Sequence, residues 1–172
     1  MAGLREVLVF TAIVGGLGLA GHLVARCTGS PPAQPLPAAA WAIPLDDPLL
    51  GERAYAQCRG CHQPDGGGIS GTYPPLAGNP RVIGDPEALI RLTLHGYDSR
   101  APGGRSPWAM AMPGLGGRMA DHELAGALSF IRSHWGNAAP PITAAQVAAV
   151  RSATILRRAP WTPEELVGSM QP

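Results

Sequence analysis

The chain has 172 residues, 15% of them charged and 45% apolar, a length that suits one modest domain with appendages. Thirteen basic residues, every one an arginine, stand against twelve acidic ones for a net charge of +1, which excludes the basic surface of a nucleic-acid binder. Twenty-three glycines and nineteen prolines interrupt regular structure and disfavour an all-β sandwich, while three cysteines are too few for a disulfide scaffold. Some other staple must support the core.

The first element is an apolar run, Val7 to Ala25, without one formally charged side chain. At the helical rise it spans roughly 28 Å, close to the about 30 Å of bilayer hydrocarbon and longer than the apolar part of a cleaved signal peptide. Residues 1–27 are therefore expected to form an uncleaved signal anchor, a single transmembrane helix. Its flanks leave orientation open, since Arg5 is offset by Glu6 and Arg26 stands at the far end. Ala12, Gly16 and Ala20 place small side chains on one helical face, a pattern that ordinary Gly and Ala abundance also produces. His22 reads as an interfacial residue. Cys27 follows an arginine where a lipoprotein signal has a small residue, so it reads as a free thiol. Residues 28–46, with Pro31, Pro32, Pro35, Pro37 and Pro44, read as an extended linker.

A folded unit is expected over residues 47–137. Asp47-Pro48 opens a first helix with Leu49, Leu50, Ala54 and Tyr55 on one side, running directly into Cys58-Arg59-Gly60-Cys61-His62. Asp85-Pro86 caps a second helix that buries Leu89, Ile90, Leu94 and Tyr97 and ends near Gly96. The strongest periodicity runs from Asp121 to Trp135, with Leu124, Leu128, Ile131 and Trp135 at steps of four, three and four and Gly136 as the stop. In the extension 138–172, Thr143 with Gln146 and Thr162 with Glu165 have capping-box spacing and mark short satellite helices. No repeat and no strand-like alternation is visible, so the domain reads as small and all-α.

The chemistry rests on Cys58-X-X-Cys61-His62. This spacing lets two thiols bond to the two vinyl groups of a haem while the adjacent histidine ligates the iron. A thioredoxin-like dithiol wants a βαβ setting and structural zinc wants four ligands; the sequence offers neither. A second axial ligand is available among Met110, Met112, Met119, His95, His122 and His134. The histidines belong to expected helices and Met119 reads as a packing residue. Met110 and Met112 lie in the Gly/Pro-rich loop 101–117, and spacing does not decide between them.

These residues resemble the class I c-type cytochromes, especially the monohaem domains associated with bacterial quinoprotein dehydrogenases. The resemblance covers roughly residues 48–137. It rests on Gly51-X-X-X-Tyr55 before the haem motif, Tyr73-Pro74-Pro75-Leu76-Ala77-Gly78-Asn79 after it, Ala111-Met112-Pro113-Gly114-Leu115, and a final helix ending Trp135-Gly136-Asn137. The resemblance implies one covalent haem c, with Cys58 and Cys61 as attachment points and His62 and Met112 as iron ligands. It further implies that the Pro74 carbonyl accepts from the non-ligating nitrogen of His62, and that Gly51 meets Phe130 where the first and last helices cross. Where the family's last helix opens on Ser or Thr, this chain has Ala120-Asp121, so the cap is expected to shift by one residue.

A covalent haem supplies the missing apolar centre of a domain with few aromatics. Gly66-Gly67-Gly68 and Gly103-Gly104 read either as close approaches to that flat group or as plain turns. Haem attachment of this type implies a periplasmic domain on a single-pass protein of the cytoplasmic membrane. With two protein ligands on iron there is no open position for substrate, so the expected function is one-electron transfer without catalysis. The expected partners are a dehydrogenase, a cytochrome bc-type complex or a terminal oxidase. The alternatives are a haem subunit of a membrane dehydrogenase or respiratory complex and, further off, a haem sensor or peroxidase-like protein. Arg59, Arg81, Arg91, Arg100, Arg105 and Arg118 offer a docking surface for an acidic partner or merely a solvated face.

Overall fold

A computed structural model describes residues 47–100 and 107–168. The anticipated transmembrane helix, Cys27, the linker, and Gly103, Gly104 and Arg105 lie outside the described residues. Among the described residues no helix is long and apolar enough to cross a membrane.

The elements are α1 (Leu50–Tyr55), α2 (Arg59–His62), α3 (Pro80–Ile83), α4 (Pro86–His95), β1 (Gly96–Tyr97), β2 (Met112–Pro113), α5 (Asp121–Ser133), α6 (Ala144–Ala153) and α7 (Pro163–Gly168). The expected mainly helical domain is present, with its strongest signals in the right places. Asp85 caps α4 by accepting from Glu87 N and Ala88 N, Pro86 fills the first turn, and Gly96 ends the helix at φ +90°. In α5 the periodic residues Leu124, Leu128 and Ile131 are all buried.

Several expectations need correction. α1 starts at Leu50, two residues late, because Asp47 Oδ1 accepts from Leu49 N and holds the chain in a turn first; Leu49 is left exposed. α1 ends at Tyr55, so a turn separates it from the haem motif. α5 ends at Ser133, and Trp135 takes a left-handed φ of +56°, which turns its ring back against Tyr55 at 5.0 Å between centroids. Ala120 has no capping side chain; instead its N–H donates to Glu123 Oε2 at 2.8 Å. Although no strand was expected, β1 and β2 pair antiparallel with Tyr97 opposite Met112. Two residues per strand are too few for any alternation to register in sequence.

α1 crosses α5 where both backbones are bare. A Cβ on Gly51 would stand 3.0 Å from both Gly126 O and Phe130 Cβ, so the expected small-residue contact is a contact of two glycines and Phe130. Buried Arg132 ties α5 to its surroundings by donating to Val82 O, Gly84 O and Pro140 O. Asn137 does the same from the far end, donating to Leu76 O and Ile131 O and accepting from Gly78 N.

The extension after Pro140 is no satellite. Ile142, Val147, Val150 and Leu166 are buried in the same core as Leu124 and Leu128. Both expected capping boxes form, with Thr143 N donating to Gln146 Oε1 and Thr162 N to Glu165 Oε2.

Candidate haem site

α2 is a single turn whose backbone bonds run from Cys61 N and His62 N to Cys58 O. That turn points both cysteines and His62 into one cavity of about 330 Å³. Its remaining wall is largely apolar, from Val82, Leu89, Leu92, Leu115, Leu128 and Ile131.

His62 is buried, and its Nδ1 lies 2.9 Å from Pro74 O, to which it donates, leaving Nε2 as the nitrogen available to a metal. Burial keeps the imidazole below its ordinary range, with the Pro74 bond opposing, so the ring is neutral and able to ligate. Burial, reinforced by Cys61, pushes the Cys58 thiol up to about 11. A redox-active dithiol needs the opposite shift, so this pair is unsuited to thioredoxin-type exchange.

Both candidate methionines of the loop line the cavity. Met112 is half-buried on β2 and packs against the core, whereas Met110 is 48% exposed. The other candidates are elsewhere. Met119 is buried in the core, His95 hydrogen-bonds Thr154, and His134 donates to Phe130 O. The glycine run also turns away from the cavity. A Cβ on Gly66 would fall 2.4 Å from the Trp135 ring and one on Gly68 2.4 Å from Tyr73 O, so these glycines serve the turn and not the flat group.

Of the candidate docking arginines, Arg91 pairs with Glu87 and Arg100 with Asp98, while Arg81 lies over the Tyr97 ring at 4.9 Å. Sequence reasoning missed Tyr97 as a wall residue and missed Pro163 altogether. Pro163 comes from the extension and lines the cavity beside Ser99 and Trp108. No local signal marks a residue that reaches a site through a chain reversal.

The donor set and the cavity fit a haem. Two thiols one helical turn apart and a neutral imidazole with one nitrogen already engaged share an apolar chamber with a half-buried thioether. The family model of cytochrome c matches residues 49–135. Similar proteins include the cytochrome c subunit of a quinone alcohol dehydrogenase from Gluconacetobacter polyoxogenes, 41% identical over 97 residues, or 55% of this chain and 20% of that protein. The gluconate 2-dehydrogenase cytochrome c subunit of Pantoea cypripedii is 38% identical over 111 residues, 62% of this chain and 25% of that one. Cytochrome c-552 of Thermus thermophilus is 35% identical over 111 residues, covering 59% of this chain and 84% of that protein. This chain belongs to the cytochrome c family: it carries haem c bound covalently through Cys58 and Cys61 and serves electron transfer. It spans about a fifth to a quarter of the length of the dehydrogenase subunits it matches.

Proposed function

We propose that this chain is a membrane-anchored periplasmic cytochrome that passes single electrons between redox partners, with His62 and Met112 as the residues that would hold the haem iron. The observation that carries the reading is the pairing of a neutral, oriented His62 with a half-buried Met112 in one apolar cavity. Haem iron held there supplies one-electron chemistry at a potential that methionine ligation raises. Bound by both His62 and Met112, the iron would have no position for substrate, and the apolar wall would keep water from it. Pro74 holds the His62 ring in one tautomer and one orientation.

The donor is a dehydrogenase on this reading, supported by similarity to cytochrome c subunits of the alcohol and gluconate enzymes. The acceptor is a bc-type complex or terminal oxidase. Residues 7–25 provide the anchor, supported by nineteen residues without a charge. The linker then acts as a stalk that keeps the domain within reach of a membrane-bound partner, where effective concentrations approach the millimolar range.

Replacing residues 1–27 by a cleavable export signal tests the tether. The spectrum and potential should stay unchanged while respiratory electron flow at native abundance falls, and excess soluble domain should restore it. Full turnover by the truncated protein at native abundance would remove the anchor from the reading. Failure of excess domain to restore turnover would favour a stable subunit of a membrane complex.

A further inference from the structure

The C-terminal extension reaches the segment that bears Met112 at two places, through its partner strand β1 and directly at Gly116 and Met119. At β1, the strand paired with it, Trp161 N donates to Gly96 O and Asp98 N to Trp161 O, each at 2.9 Å, so residue 161 pairs with Tyr97 in parallel. Tyr97 in turn pairs with Met112. Paired residues share a face. Met112, Tyr97 and Trp161 therefore stand on one rung of a three-segment ribbon, and two residues further on Pro163 enters the cavity wall.

On the C-terminal side Leu115 N and Gly116 N donate to Thr93 O and Leu94 O of α4, and a guanidinium of the extension adds to that hold. Arg151 of α6 donates from Nη1 to Gly116 O, from Nη2 to Met119 O at 3.0 Å, and from Nε to Asp121 Oδ1 at 2.7 Å. The segment Met112 to Arg118 contains Gly114, Gly116 and Gly117, whose backbone freedom these bonds together restrict. Trp161 itself is clamped between Arg157 at 3.6 Å and Arg91 at 5.3 Å. Its Nε1 and Arg91 Nε are buried without a partner among the described residues.

We propose that residues 140–168 form a strap that positions Met112, with Trp161 and Arg151 as the positioning residues. A thioether is a weak neutral ligand, so its hold on iron depends on how few other places the chain lets it occupy. The strap restricts those places through β1 and at Gly116 and Met119. This inference rests on the reading of Met112 as ligand.

The test uses the full chain, haem-loaded and in membranes, with Trp161→Ala, Trp161→Phe, Arg151→Met, Arg151→Lys and Met112→Leu. The readouts are the sulfur-to-iron charge-transfer band of the ferric protein, the midpoint potential, and the imidazole concentration that displaces the sixth ligand. Trp161→Ala and Arg151→Met should each lower that concentration by about tenfold, which is about 1.4 kcal/mol, and lower the potential. Trp161→Phe keeps a ring on the rung and should recover most of both. Arg151→Lys keeps the charge but loses the fork that spans two carbonyls, and should shift in the same direction as Arg151→Met. It carries the test if the larger changes do not accumulate. An unmoved titration and potential in every variant that accumulates, while Met112→Leu abolishes the band, overturns the strap and leaves the ligand assignment standing. A band that survives Met112→Leu overturns the ligand assignment and the strap together.

Discussion

The two walls of the haem cavity are built on different principles. The histidine wall comes from adjacent residues: Cys58, Cys61 and His62 share one turn, and the Pro74 carbonyl that orients the imidazole lies twelve residues on. Met112 lies on a wall assembled from distant segments, with Tyr97 on one side, Trp161 and Pro163 reaching it after two further helices, and Arg151 adding a bond at Gly116. Short-range order forms at low entropic cost, whereas each long-range contact must first close a loop. A local wall tolerates damage elsewhere in the chain. A composite one registers damage far from the metal.

The largest expected effect breaks the local wall. Cys58→Ala together with Cys61→Ala should abolish covalent haem attachment, and either change alone should weaken it. Haem-dependent peroxidase staining on a denaturing gel reads this directly, and a stained double variant would refute the attachment. Next comes the composite wall. Met112→Leu should lower the potential and open the iron to carbon monoxide, while Met110→Leu, at a side chain 48% exposed, should change both little. The reverse pattern would transfer the sixth ligand to Met110.

A smaller effect sharpens the comparison at the seam between the walls. Asn137→Ala removes bonds to Leu76 O, Ile131 O and Gly78 N and should cost about 2–3 kcal/mol, read as a lower denaturant midpoint with an unchanged haem spectrum. A midpoint unchanged within experimental scatter would show that water replaces these bonds.

The smallest expected effect lies where α4 meets α6. His95 Nε2 is 2.7 Å from Thr154 Oγ1, and because that hydroxyl donates to Val150 O, the ring must donate to it. Burial holds His95 below the ordinary imidazole range, with Arg157, Arg151 and Arg158 adding to the shift. In the window below about pH 6.5 the unfolded chain therefore binds more protons than the folded one, so stability falls as pH drops through the ordinary value toward the depressed one. His95→Gln should flatten that part of the curve of melting temperature against pH. An identical slope in wild type and variant would assign the acid sensitivity to another group.

Much of the histidine wall was legible in the amino-acid order, because a Cys-X-X-Cys-His turn is a local object. The spacing of Cys58, Cys61 and His62 specifies the covalent group, and capping residues such as Asp85 and Thr143 specify helix starts through bonds that span three residues. Periodicity in α5 marked the buried face of the last helix for the same reason. What tertiary structure alone decided is how residues remote in sequence meet. The sequence offers two loop methionines, and only the pairing of β2 with β1 sets Met112 among packed side chains and leaves Met110 at the surface. The extension looked like loose satellites because its helices are short, yet Val147 and Leu166 complete the core and Trp161 joins the Met112 ribbon. Backbone pairing carries no side-chain code and two-residue strands have no period, so those contacts exist only once hydrophobic burial has brought the chain back on itself.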